Sequence, residues 1–399
     1  MNKCWLRCTR CKSVFDFRLI GKCEKCQGTL LVEYDMNRAH DVFTPTKLAL
    51  SNNNTLWRYH ELLPVRSLDS AITLGEGVTP LIRMPAIEKQ QSLRRVWMKR
   101  EEQNPTGSFK ARGFSVTVSL LAERGIPIAA VPSNGNAASA FAAYAARAGI
   151  DAHVFIPKDC PPLIVEECKL YGAHTTLVDG KIHDAAAAIE LRKDQMGWFN
   201  VGTLREPGRV EGKKTMAFEI AEQLGWRLPD VIIYPTGGGS GIVGMWKGFM
   251  ELRRLGLIQG TLPRLISVQE EGCRPIVDAL KGTENQEESI TNEASNPTGM
   301  RVPIPPDLDL LVTILKETGG DAISVSKSEM DSAQRMLGTL GISSSPEGAA
   351  TYAGLLKLTE TNGLSGEEEI VLFNTSHAMK YSSVSPSAIS KRQLADYMI

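Results

Sequence analysis

Beyond about residue 71 the chain alternates short apolar runs with longer stretches whose apolar positions recur at helical spacing. Residues 128–131 are apolar and stop at a Pro-Ser-Asn-Gly turn, after which 136–148 is alanine-rich and helical in pattern. The same reading predicts strands at 151–156, 174–178 and 198–201, and helices at 112–124, 161–171 and 183–196. A second series follows: helix 211–224, strand 231–234, helix 241–255 opened by glycines, strand 265–269 and a last strong strand at 370–373. Short strands separated by helices of this length imply an α/β fold with parallel sheets and right-handed crossovers.

The pattern weakens in two places. Residues 37–70, broken by Pro45, Pro64 and the run Ser51-Asn52-Asn53-Asn54, read as a connector. Residues 282–300 are polar and are expected to form a mobile surface loop. The organisation expected is a small module at 1–36, the connector, a large domain from 71–115 and 202–399, and a small αβ domain at 116–201 between its two parts.

Composition narrows the partners. The 399 residues suffice for two or three domains. With 45 basic and 45 acidic side chains the formal net charge is zero, which argues against nucleic acid or an acidic membrane face and for a small-molecule ligand. No apolar run approaches the ~18 residues needed to span a bilayer, and the first residues lack an apolar stretch of signal-peptide length. A cytoplasmic protein, as a homo-oligomer and most simply a dimer, is the expectation.

Five of the eight cysteines fall in the first 26 residues, while Cys160, Cys168 and Cys273 are scattered, so a disulfide framework is not expected. Cys8-x2-Cys11 and Cys23-x2-Cys26 form two knuckles that can set four thiolates around one tetrahedral Zn²⁺. With all four positions filled, such a metal is structural; free thiols are the alternative. Cys4 lies outside the pairing.

Three segments carry candidate chemistry. Asn104-Pro105-Thr106-Gly107-Ser108-Phe109-Lys110 is a turn running into a helix. A lysine there can act as a nucleophile only if burial or neighbouring positive charge keeps it neutral. Ser133-Asn134-Gly135-Asn136 stands where a strand ends and a helix opens, a place whose free N–H groups suit a carboxylate, though an ordinary capping turn has the same composition. Thr236-Gly237-Gly238-Gly239-Ser240-Gly241 joins strand to helix with glycines that let backbone N–H groups close on a phosphate. Its spacing matches neither a dinucleotide fingerprint nor a nucleotide P-loop, so a monophosphate ester is the better fit.

Taken in order, these segments resemble the fold-type II pyridoxal-phosphate enzymes (tryptophan synthase beta-like), and the threonine synthase family in particular. The resemblance runs over nearly the whole chain. It includes the cysteine knuckles (zinc-ribbon-like), Leu74-Gly75-Glu76-Gly77-Val78-Thr79-Pro80-Leu81, Arg209-Val210-Glu211-Gly212-Lys213-Lys214-Thr215, Pro346-Glu347-Gly348-Ala349-Ala350 and Asn374-Thr375. It implies that Lys110 carries pyridoxal 5′-phosphate (PLP) as a Schiff base, that Asn136 pairs with the cofactor's 3′-oxygen, and that Gly237, Gly238, Gly239, Ser240 and Gly241 cradle its phosphate. Thr375 would face the pyridine nitrogen. Ser133, Asn134 and Gly135 would hold the substrate carboxylate, and Arg209, with Lys214 nearby, the substrate phosphate. The activity implied is conversion of O-phospho-L-homoserine and water to L-threonine and phosphate.

Three positions depart from that family's pattern: Ala111 where aspartate is frequent, Gly208 where an aromatic is common, and Ser376-His377-Ala378 where a Gly-Ser-Gly run is favoured. His377 is either an acid or base near the ring or a solvent-facing loop residue. These departures keep open a sibling chemistry, β-elimination or β-replacement on serine, phosphoserine or a diamino acid, as in cysteate synthase or diaminopropionate lyase. A cofactor-binding protein without catalysis is the reading from a different class.

Overall fold

The computed structural model describes residues 4–283 and 299–381. Residues 284–298, most of the stretch expected to be a surface loop, lie outside them. β1 (Cys4–Cys8), β2 (Val14–Asp16) and β3 (Leu30–Tyr34) form an antiparallel three-stranded sheet in the order β2-β1-β3. The segment read as a connector is ordered. It holds α1 (Met36–Val42), α2 (Pro45–Ala49) and a 3-10 turn over Leu56–Leu62 whose Leu56, Trp57, Tyr59 and Leu62 are buried. Their apolar surface outweighs the loop signals of the flanking prolines and asparagines.

The chain continues through β4 (Leu81–Arg83), α3 (Pro85–Gln91), β5 (Arg95–Arg100) and α4 (Lys110–Glu123). Then come β6 (Ile128–Pro132), α5 (Asn136–Ala148), β7 (Asp151–Pro157), α6 (Pro162–Leu170), β8 (His174–Val178), α7 (Ile182–Met196) and β9 (Phe199–Asn200). These four strands make a wholly parallel sheet ordered β8-β7-β6-β9.

The last third holds α8 (Gly208–Gln223), β10 (Val231–Pro235), α9 (Ser240–Arg254), β11 (Arg264–Glu270), α10 (Pro275–Lys281), α11 (Leu308–Glu317), β12 (Asp321–Val325), α12 (Lys327–Thr339), α13 (Pro346–Glu360) and β13 (Glu369–Asn374). A six-stranded sheet is ordered β12-β11-β10-β13-β5-β4, parallel except where β4 pairs antiparallel with β5. The central strands β10 and β13 are buried along their whole length, which is why they read as continuous apolar runs. β5 and β12 were missed by pattern alone. β5 ends in basic residues, and one of them, Lys99, is buried only because Glu219 answers it at 2.7 Å.

That pair belongs to a buried network that fixes the start of α4. Arg112 Nε bonds Glu101 Oε2 at 2.7 Å and Arg112 Nη1 bonds Glu219 Oε1 at 2.5 Å, so two cations and two carboxylates join β5, α4 and α8. Arg112 and Lys99 hold the Glu219 carboxyl down to about 2 against the opposing effect of burial. Breaking one partner of such a network leaves an uncompensated buried charge, at a cost of about 3–5 kcal/mol. Glu76 plays the same part for the glycine turn before β4. It accepts from Trp57 Nε1, Ser115 Oγ and Tyr144 OH, at 3.1, 2.6 and 2.5 Å.

Candidate active site

The C-terminal ends of β6 and β10, from the two parallel sheets, face one cavity together with the start of α4 and the residues after β13. Ligands in open α/β sheets bind at such strand ends. The cavity brings together Lys110, Ser133, Asn134, Gly135, Asn136, Arg209, Gly237 to Gly241 and Thr375. These segments lie far apart in the chain.

Lys110 is the first residue of α4. The turn before it is held by Phe109 N donating to Thr375 O at 3.0 Å and His377 N donating to Gly107 O at 3.1 Å. Its Nζ lies 4.0 Å from the centroid of the Phe109 ring and keeps contact with the cavity. Desolvation, then the positive charge of Arg209, bring its ammonium down to about 7, while Glu347 pushes the other way. A lysine so placed is substantially neutral near physiological pH, as a nucleophile must be.

The glycine loop leaves β10 and opens α9. Gly239 has φ +80°, and a Cβ there would run into Leu311. One on Gly237 would come within 2.6 Å of Gly299 O. The loop therefore closes on its surroundings with backbone alone, leaving N–H groups at a helix N-terminus for an anion. Arg209 is buried on α8. Its Nη1 donates to Val201 O at 3.1 Å, its guanidinium lies 4.7 Å over the Phe114 ring, and its Nε has no hydrogen-bond partner among the described residues. Burial lowers it to about 10, with Glu206 opposing.

The turn after β6 is more self-engaged than expected. Ser133 Oγ accepts from Gly135 N at 3.0 Å and Ala138 N at 3.1 Å, so this hydroxyl orders the turn. Asn134 Nδ2 donates to Arg301 O at 2.8 Å. Asn136 Nδ2 donates to the Tyr381 hydroxyl at 2.9 Å, and its Oδ1 is buried without a hydrogen-bond partner among the described residues.

Lys214 is not in the cavity. Its Nζ bonds Glu211 at 2.6 Å and Glu251 at 2.9 Å and lies 4.1 Å over the Tyr34 ring, on the far side of α8. Arg209 and Lys213 are four residues apart and share a helix face; Lys214 is one position further round. Lys213 Nζ meets Ser240 Oγ at 2.6 Å. Helical spacing from Arg209 was the signal that separated the two lysines. Glu347 and Tyr381 were also missed as site residues, and nothing local in the sequence marks Tyr381.

His377 is absent from the cavity wall and only partly buried. Its Nδ1 accepts from Met379 N at 3.2 Å and lies 3.4 Å from Ser343 Oγ, which makes it a turn-forming residue. Gly208 has no room for a side chain: a Cβ would stand 2.8 Å from Thr117 Cα. Ala111 is fully buried in the core of α4.

The cysteine module shows two matching knuckles. Cys8 Sγ lies 3.4 Å from Cys26 Sγ and Cys11 Sγ 3.6 Å from Cys23 Sγ, and all four lie within 4.8 Å of one another. In each knuckle the residue after the second cysteine is left-handed, Lys12 at φ 61° and Gln27 at φ 59°. Cys4 stands apart, buried at the start of β1.

The residues present fit PLP: an enclosed amine, a glycine cradle for a phosphate and orphaned buried polar atoms at Asn136 and Glu347. Residues 72–376 match the family described as pyridoxal-phosphate dependent enzyme, and the chain belongs to that family. Within it, the chain belongs with the threonine synthases. It is 34% identical to the threonine synthase of Methanocaldococcus jannaschii over 378 residues, covering 94% of this chain and 92% of that one. It is also 34% identical to that of Methanosarcina acetivorans over 382 residues, with the same coverage. The structure of maize serine racemase superposes with a TM-score of 0.67 at 22% identity, covering 80% of this chain and 93% of that one, which shows the shared fold.

Proposed function

We propose that this enzyme converts O-phospho-L-homoserine and water to L-threonine and phosphate, with PLP held on Lys110. The observation that carries the reading is the pairing, in one cavity, of a buried lysine brought down to about 7 with a buried arginine whose Nε has no hydrogen-bond partner among the described residues. Kinship with proteins named threonine synthase supports it.

Bound there, PLP supplies an electrophilic carbon and an electron-poor ring that spreads negative charge from the substrate's Cα. Lys110 Nζ, brought down to about 7 and so available as the neutral amine near that pH, would hold the cofactor and, once freed from it, accept the Cα proton. The backbone N–H groups at the start of α5 receive the substrate carboxylate, in a turn kept rigid by Ser133 Oγ. Arg209 offers its guanidinium to the leaving phosphate, in a site dry enough to strengthen that attraction. Gly237 to Gly241 would hold the cofactor phosphate, Asn136 its 3′-oxygen, and Thr375 would serve its ring nitrogen. In the same reading Cys8, Cys11, Cys23 and Cys26 hold one structural Zn²⁺ in a reducing cytoplasm.

The test is a substrate panel on the PLP-loaded enzyme, with released phosphate and amino-acid products measured together. Equal amounts of phosphate and threonine from O-phosphohomoserine are expected. Inertness toward it with turnover of phosphoserine or a diamino acid would replace this reading with the β-elimination alternative.

A further inference from the structure

Lys213 is a fully buried lysine that no carboxylate of the described residues pairs with. It lies on α8 one turn beyond Arg209, and its Nζ donates to Ser240 Oγ at 2.6 Å, its only hydrogen bond among the described residues. Two other buried lysines nearby are treated differently: Lys214 lies between Glu211 and Glu251, and Lys99 is paired with Glu219.

The slot for Lys213 is shaped by glycines. A Cβ on Gly244 would come within 3.1 Å of Lys213 Cβ, and one on Gly113 within 3.4 Å of its Cε. The charged groups acting on it are Arg209 and Lys110, both positive, and, more weakly, Glu206. Glu206 already accepts from Gly208 N, Thr117 Oγ1 and Arg209 N. The ring of Phe109 lies 5.4 Å from Nζ. Burial, then Arg209 and Lys110, hold Lys213 well below the ordinary lysine range. An unpaired buried ammonium is costly, so it sheds its proton or waits for an anion. Ser240 connects it to the loop where an anion belongs, at the N-terminus of α9.

We propose that Lys213 is a positioning residue for the phosphate monoester of the cofactor, acting through Ser240, and that it takes up a proton when that dianion enters the glycine loop. The proposal rests on the PLP reading above. Lys213 is then neutral in the empty loop and charged in the filled one. Its charge helps retain the cofactor and is absent when there is no phosphate to neutralise it.

The test is calorimetric titration of the full-length protein with PLP and with pyridoxal, in buffers of differing ionisation enthalpy. It is run at mildly alkaline pH, where the monoester is already a dianion. Pyridoxal makes the same link to Lys110 without a phosphate, so the difference in proton uptake belongs to the phosphate. PLP is expected to bind with more proton uptake than pyridoxal. In Lys213→Gln, which keeps an N–H donor for Ser240 without the charge, that difference should vanish. PLP affinity should fall roughly ten- to a hundredfold with pyridoxal affinity unchanged, and Lys213→Arg should recover most of the loss. Equal uptake for PLP and pyridoxal in the wild type overturns the proposal without any variant. So does a Lys213→Gln protein that binds PLP as the wild type does. Failure of the wild type to bind PLP at all would instead overturn the cofactor reading.

Discussion

Tyr381 donates its hydroxyl to Glu347 Oε1 at 2.6 Å, and so ties the end of the described chain to the first turn of α13. The same phenol accepts from Asn136 Nδ2 at the start of α5, and Glu347 Oε1 also accepts from Gly299 N at 2.9 Å. Glu347 thus lines the cavity, held in place by these bonds, and favours the Lys110 ammonium against desolvation and Arg209.

Capture of PLP by Lys110 needs the neutral amine, so its rate should rise with pH around a midpoint near 7, far below an ordinary lysine. Glu347→Gln removes the charge that favours the ammonium and should move the midpoint to lower pH. Arg209→Gln removes a cation and should move it higher. Growth of the cofactor absorption band, followed as a function of pH in the three proteins, checks both signs.

Lys110 should also cost the cofactor-free protein stability. Its pKa is lower folded than unfolded, so between about 7 and the ordinary 10.5 the unfolded chain binds a proton that the folded one does not. Stability contributed by this group therefore rises with pH through that window. Lys110→Met should melt at a higher temperature than the wild type at pH 7.5, and the gap should narrow toward pH 10. Thermal melts of the two cofactor-free proteins decide it.

The glycine at 208 is enforced by Thr117 Cα, 2.8 Å from where a Cβ would stand, and by Glu206 Oε2 at 2.9 Å. Gly208→Ala should destabilise by about 1–3 kcal/mol, the usual cost of overpacking. Gly208→Tyr, which places an aromatic before Arg209, should lower the yield of folded protein rather than improve activity. Denaturant unfolding of the alanine variant gives the number.

Removal of the proposed zinc should loosen the cysteine module and what it leans on. Tyr34 OH bonds Glu211 on α8 at 2.6 Å, and Thr29 Oγ1 bonds Asp307, the N-cap of α11, at 2.5 Å. Purified protein is expected to hold about one zinc per four-thiolate site. Stripping it with a chelator, or Cys11→Ser, should lower the melting temperature. Elemental analysis alongside a melt tests the assignment; full stability at zero zinc would count against it.

Much of the fold was legible because its signals are local. Strands β6, β10 and β13 are short, largely apolar runs, and the helices between the strands carry their own period. β5, β12 and the ordered turn at Leu56–Leu62 were not legible, since their burial depends on partners far away in sequence, as Lys99 depends on Glu219.

The sequence by itself determined the glycine loop, the lysine turn and the paired knuckles, because each is a contiguous run whose backbone demands are written in its own residues. Only the tertiary structure decided which face of α8 meets the glycine loop. Rotation along α8 turns Arg209 and Lys213 toward the glycine loop and Lys214 toward Tyr34 and Glu251. It also decided that Ser133 braces its turn, that His377 forms a turn of its own, and that Tyr381 reaches Asn136 and Glu347. Helical spacing puts Arg209 and Lys213 on one face, but the partners that face meets are set by how helices and strands pack.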